Sequence, residues 1–200
     1  MSINNDFILA STSPSRKIIL KNAGLNFVSK KPECDEQNHK KKFIKKKLSV
    51  KKITLELSKI KAKSISIKSK NKLVVGSDTL INFRNEVIEK VSSLKDAEKK
   101  IKKLSGKKHK IITSVVVYFN NKLVWCHTQQ TTIKLRRLGD LEIKKYLKSS
   151  GSTLLNSVGC YQIEKKGPII IENIQGDFFN VMGFPLFPFL NFLKNNKNYD

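Results

Sequence analysis

The chain has 200 residues, 39% of them hydrophobic, and a formal net charge of +24. That length supports one domain with a real core or two small lobes, and the hydrophobic content excludes a disordered chain. No run approaches the roughly 18 apolar residues of a membrane span, and the opening MSINND has neither the basic nor the apolar region of a secretory signal, so a cytoplasmic protein is expected.

Phe7-Ile8-Leu9-Ala10 reads as a short strand that stops at Ser11-Thr12-Ser13. A helix follows from about residue 14 to 23, with Pro14 suited to its first position and Gly24 to its end. Its first turn carries Arg16 and Lys17, on the unfavourable end of the helix dipole. LNFVSKKPECDE predicts a strand and an acidic turn. Residues 40–68 predict a Lys-rich helix, with Phe43, Leu48, Ile53, Leu57, Ile60 and Ile65 at helical spacings. KLVVGSDTLINF predicts a strand, a polar interruption at Asp78, and more strand. SLKDAEKKIKKLSG predicts a helix capped by Ser92 or Ser93 and stopped by Gly106. The long β-rich run from Lys110 to Leu135 folds back at Asn120-Asn121, a hairpin signal. DLEIKKYLKS predicts a helix, SVGCYQIE and GPIIIENI predict strands, and the tail from Pro185 predicts a helix with Pro188 in its first turn.

Alternating strands and helices give the α/β class, and the hairpin makes the sheet mixed. There is no internal repeat and no Gly/Ser/Pro-rich linker, so residues 1–200 form one domain, with one lobe from the chain's two ends and another from its middle. The only arginines are Arg16, Arg84, Arg136 and Arg137, and the other 36 basic residues are lysine. Nucleic-acid readers lean on arginine, so the lysine runs read first as solvated faces of a compositional bias, with a nucleic-acid surface or an attraction for small phosphate-rich ligands as the alternatives. Cys34, Cys126 and Cys160 are too widely spaced for a metal pair or a disulfide framework and read as buried free thiols. His39, His109 and His127 suggest no zinc site.

Three segments carry chemistry. Ser11-Thr12-Ser13 before a helix offers hydroxyls and free backbone amides to an anion. An ordinary N-cap with snorkelling cations is the alternative. Asp78 lies among Val74, Val75, Leu80 and Ile81, where a carboxylate must be paired, metal-bound or facing a cleft, unless it sits in a strand-end turn. Gly76 beside it permits close backbone approach. Glu33, Asp35 and Glu36 cluster in a chain with only 16 acidic residues, which suits Mg²⁺ or a solvated turn.

Taken together, LASTSPSRKIIL, VVGSDTL, SGKKHKIITSVVV and SVGCYQIEKKGPIIIENIQGDFFNVMGFPL resemble the Maf family of nucleotide pyrophosphatases, in an α-proteobacterial branch. The resemblance covers nearly the whole chain. It implies an α/β fold with a long mixed sheet flanked by helices, two lobes around a central cleft, and a homodimer in many members. It implies hydrolysis of a nucleoside triphosphate to the monophosphate and pyrophosphate with Mg²⁺ or Mn²⁺, removing non-standard or excess nucleotides, and a link to septum formation in some members. By the same resemblance Ser11, Ser13 and Arg16 bind substrate phosphates. Asp78 is the proton acceptor, joined by Glu36, Lys61 and Lys90, with Glu36 and Asp78 as metal ligands. Ser15, Thr79 and Glu164 fall at base-selectivity positions. Ser15 stands where an arginine is common, Val91 replaces a proline after Lys90, and Lys165 replaces a glycine after Glu164. The rival readings are a basic nucleic-acid-binding module and a division regulator acting through a protein partner.

Overall fold

The computed structural model describes residues 6–195. Seven strands form one mixed sheet in the order β2-β1-β3-β5-β6-β7, with β4 paired to β3. The strands are β1 (Phe7–Ala10), β2 (Phe27–Lys30), β3 (Leu73–Phe83), β4 (Glu86–Ile88), β5 (Lys108–Phe119), β6 (Lys122–Leu135) and β7 (Ile171–Gln175). The helices are α1 (Pro14–Asn22), α2 (Glu36–Lys45), α3 (Val50–Ser66), α4 (Leu94–Leu104), α5 (Asp140–Ser150), α6 (Phe178–Met182) and α7 (Leu186–Asn195). None of these helices is long and apolar enough to cross a membrane.

Contacts divide the chain into two compact units, one comprising Met1–Thr79, Thr113–Gln129 and Gly183–Asp200, the other Leu80–Ile112 and Gln130–Met182. In the first unit β1 pairs in parallel with both β2 and β3, so the chain runs outward from β1 in both directions. Such reversals of strand order are where open α/β sheets place ligands, at the carboxyl ends of the strands. Ala10 lies opposite Gly76, which brings the end of β1 to within two residues of Asp78. Ile8, Ala10, Val74 and Val116 pack against Ala62 and Ile65 of α3. On α7, Phe189 and Phe192 pack against Trp125, with Phe184 and Phe7 edge-on to Phe189.

The second unit has its own apolar core. Ala97, Ile101 and Leu104 of α4 and Ile143, Tyr146 and Leu147 of α5 cover Ile81, Phe83, Ile111, Ile133 and Leu135 of the sheet. Buried beside them, His109 Nε2 and the Tyr161 hydroxyl lie 2.5 Å apart. Burial pushes the His109 imidazole down to about 4.

Several local expectations need correction. The single helix expected over 40–68 is two helices. Lys47 adopts φ 54° after α2, and the Ser49 hydroxyl caps α3 by accepting from Lys52 N. The expected interruption at Asp78 is absent, because β3 runs unbroken through it. Residues 157–164 are turns rather than a strand. Cys160 adopts φ 58°, and the Tyr161 ring folds over Gly159, where a Cβ would meet it at 2.4 Å. GPIIIENI contributes only Ile171–Gln175 to the sheet, after a 3-10 turn over Gly167–Ile169. Of the three thiols only Cys160 is buried, while Cys126 is exposed and Cys34 is half-buried. The hairpin does turn at Asn120-Asn121, with φ values of 46° and 62°.

His109 gives a stability test. Its folded value lies below the usual 6.5, so the unfolded chain takes up the proton first as pH falls. Its contribution is complete above pH 6.5 and is lost progressively down to about pH 4, amounting to about 3 kcal/mol. Urea unfolding across that range will show this loss in the wild type and not in His109→Gln. Parallel pH profiles for the two proteins would refute the assignment.

Candidate active site

All the contacts described for this site lie within the first unit. After β1 the chain makes a tight hydroxyl-lined turn. Ser11 N donates to Leu9 O at 2.9 Å, the Ser29 hydroxyl of β2 donates to Ser11 O at 2.7 Å, and Ser13 N donates to Ser11 Oγ at 3.2 Å. α1 then starts at Pro14, and the Ser13 side chain makes no capping bond. The first-turn amides of α1 therefore have no help from the N-cap side chain.

Arg16 answers the puzzle of a cation at this helix end. Its side chain is buried and turned into the protein. Nε donates to Gly183 O at 2.8 Å, Nη1 to Ser11 Oγ at 3.1 Å and Nη2 to Thr79 Oγ1 at 3.0 Å. Burial lowers its pKa below the ordinary value, and the nearby Asp78 and Glu36 carboxylates oppose that shift. Gly183 receives it with φ 101°, and a Cβ there would stand 3.2 Å from Thr79 Oγ1. The same carbonyl accepts from the Ser77 hydroxyl at 3.3 Å. Thr79 in turn shares a hydrogen bond with Thr113 of β5 at 3.1 Å.

Lys61, on the buried face of α3, reaches two carboxylates. Its ammonium lies 2.5 Å from Asp78 Oδ1 and 2.8 Å from Glu36 Oε2. Burial lowers its pKa, but the Asp78 and Glu36 charges outweigh that and leave it above the ordinary lysine value. It stays an ammonium at neutral pH. Asp78 is 4% exposed, and its Oδ2 is buried with no hydrogen-bond partner. Glu36 opens α2 next to the Asp35 N-cap and is half-buried. Cys34 feels the same charges. Burial raises its thiol, which keeps it protonated and poorly nucleophilic.

Close packing of α3 on β3 sets this geometry. A Cβ on Gly76 would meet Ser58 O at 2.4 Å and Ala62 Cβ and N at 2.8 Å. Ser58 further ties α3 to β5 through its hydroxyl, which donates to Ser114 O at 3.0 Å.

The structure thus brings together Ser11, Arg16, Glu36, Lys61, Asp78 and Thr79. Ser13 and Ser15 sit half-buried at the start of α1. Lys90, exposed just after β4, and Glu164, half-buried in the turn at 163–166, belong to the second unit. Sequence reasoning overlooked Ser77, Thr113 and Gly183. The hydroxyls at 77 and 113 were readable as polar residues inside apolar strand runs. Gly183 gave no local signal.

The fold and site define an open-sheet α/β protein with a charged cluster at the carboxyl ends of parallel strands. The chain belongs to the Maf family, whose model, described as Maf-like protein, matches residues 6–196. A 7-methyl-GTP pyrophosphatase of Bartonella quintana is 38% identical over 92% of this chain and 91% of its own length. The protein of the same name from Bartonella henselae is 36% identical over 96% of each chain. A nucleoside triphosphate pyrophosphatase of Hyphomonas neptunium is 33% identical over 94% of this chain and 95% of its own.

Gly76→Ala tests the helix–strand contact. The added methyl must push α3 from β3, which destabilises the protein by about 1–3 kcal/mol and loosens Lys61 from Asp78. Urea unfolding and an amide-shift map of α3 will show both effects. A variant as stable as the wild type would mean that the close approach does not constrain α3.

Proposed function

We propose that this chain hydrolyses a nucleoside triphosphate to the nucleoside monophosphate and pyrophosphate. The observation that carries the reading is Asp78, with one carboxylate oxygen fixed by Lys61 and the other buried without a partner. The names of the Maf relatives, nucleoside triphosphate pyrophosphatase and 7-methyl-GTP pyrophosphatase, support it. The reading places the protein in the cytoplasm, among the nucleotide pools.

Each side chain has a role that follows from its bonding. Ser11 Oγ already accepts from Ser13 N and Arg16 Nη1. A hydroxyl has two acceptor sites and one proton, so its proton is left to donate to a phosphate oxygen. The first-turn amides of α1 and the Ser13 hydroxyl add donors on the same side. Arg16 holds Ser11, Thr79 and the Gly183 carbonyl in register and adds positive charge behind them. Lys61 fixes Asp78 Oδ1, which leaves Oδ2 to take the proton of the water that attacks the α-phosphorus as pyrophosphate departs. Of the base-selectivity candidates, Thr79 is bonded into this cluster through Arg16 and Thr113, and Ser15 is half-buried one residue before Arg16.

A divalent ion fits this donor set with the substrate's help. Among the described residues there is no group of three or more His, Cys, Asp or Glu that could hold a metal alone. With Asp78 Oδ2 kept for the proton, the Glu36 carboxylate beside it supplies a hard oxygen, and Mg²⁺ takes only one or two carboxylates when phosphates complete its shell. Bound there, Mg²⁺ or Mn²⁺ would neutralise charge on the triphosphate.

Two measurements test the reading. Asp78→Asn keeps the shape of the site and removes the proton acceptor, so pyrophosphate release should fall by about 10²–10⁴-fold while nucleotide binding changes little. Near-normal turnover would refute the role. A panel of standard triphosphates and 7-methyl-GTP should release pyrophosphate with Mg²⁺ or Mn²⁺, lose activity in a chelator and regain it when the metal is restored. Inert triphosphates throughout the panel would refute the proposed function.

A further inference from the structure

The first unit has a second feature at the edge of its sheet. An open groove of about 850 Å³ runs along the edge strand β2, bordered by Phe7 and Lys72 at one end and by Lys30, the last residue of β2, at the other. The volume lies in the range of small-molecule sites.

Its lining combines charge and apolar surface. Lys21, Lys30, Lys70 and Lys72 border it, and none of them pairs with a carboxylate of the described residues. Some lysines elsewhere do pair with carboxylates. Lys52 and Lys59 share Glu56, Lys102 holds Glu98 and Asp140, and Lys134 holds Glu172. Lys68 on the same rim is already bonded to Glu33, and Asp6 is the one carboxylate in the lining. The floor is apolar. Val28 is 61% exposed, and the Phe27 ring stacks on Phe7 with centroids 5.7 Å apart. Four lysines border this one groove, and an anion from outside would balance their charge. A purely inorganic anion would leave the apolar floor in water.

We propose that this groove is a second, non-catalytic binding site for a small organic phosphate, one with a phosphate for the lysines and an aromatic or aliphatic body for Phe27 and Val28. The size of the groove, its rim of lysines and its apolar floor match a soluble molecule of that chemistry. The inference does not depend on the pyrophosphatase reading, because its residues and its readout are separate.

The test follows backbone amide shifts of the full chain during titration with 1-naphthyl phosphate. Saturable shifts at Phe27, Val28 and Lys70 are expected, with inorganic phosphate and 1-naphthol each binding at least tenfold more weakly. The double variant Lys70→Glu/Lys72→Glu, both positions on the surface, should bind the probe at least tenfold more weakly while keeping the wild-type unfolding curve and pyrophosphate release. Shifts confined to Ser11–Arg16, or equal affinity of the double variant, would overturn the proposal. So would inorganic phosphate binding as tightly as the aryl phosphate. Charge-dependent binding to phosphatidylglycerol vesicles without binding of the soluble probe would assign the groove to a membrane surface and overturn it as well.

Discussion

The Lys61 ammonium between Glu36 and Asp78 is the interaction on which the site depends. Asp78 and Lys61 are both buried, and taking two such ions out of water costs several kcal/mol each after relaxation. Their short contact, with the half-exposed Glu36 as a third member, offsets that only if the geometry is held. The rest of the first unit holds it. Gly76 lets α3 settle directly onto β3, Ser58 locks α3 to β5, and Lys61 then projects from the same buried face toward Asp78. Replacing the trio with apolar groups would stabilise the fold at least as well in principle. Its persistence in a buried position therefore argues for a task other than stability.

Arg16 extends the same logic. Counted formally, Glu36, Asp78, Lys61 and Arg16 sum to zero charge, so the cluster is neutral even though the chain is strongly basic. The guanidinium is planar and forked, and three of its donors reach three separate segments: the β1–α1 turn, β3 and the start of the α7 segment. A lysine could satisfy one of those acceptors but could not hold all three in a plane. The cation in the first turn of α1 is thus accommodated by fixed acceptors and two carboxylates. Those acceptors and carboxylates offset the opposition of the helix dipole.

Much of this was legible in the sequence, and the limits are physical. Periodicity identified β1, α1, α4 and α5 because each is long enough or clearly enough bounded for local preference to decide. Asp78 stood out because a carboxylate among Val74, Val75, Leu80 and Ile81 demands an explanation. Its partner did not stand out, because Lys61 is 17 residues away and is flanked by Lys59 and Lys63 in a lysine-rich chain. Gly183 lies 167 residues from Arg16, a distance at which no local pattern carries information. The errors are local overrides. Lys47 enters the left-handed region, where Asn or Gly would have signalled the helix end. Around Cys160, the apolar run that reads as a strand is instead wrapped by the Tyr161 ring, with the Tyr146 hydroxyl donating to Cys160 O. The family resemblance supplied what spacing could not, by naming Glu36, Lys61 and Asp78 together before any geometry joined them.

Because the charged cluster is internally balanced, the +24 of the chain must act from elsewhere. The lysines are spread along the chain, and Lys52, Lys59, Lys99 and Lys102 face i,i+3 or i,i+4 carboxylates. Such a surface raises the local concentration of small polyanions and is strongly screened by salt, but it cannot orient them. Orientation has to come from fixed donors. The first unit has two such arrangements. One is polar, buried and closed around Asp78; the other is open, apolar-floored and ringed by lysines without carboxylate partners. A polyphosphate with little apolar surface is matched by the first, where hydroxyl and amide donors replace its water. A phosphate on an apolar body is matched by the second.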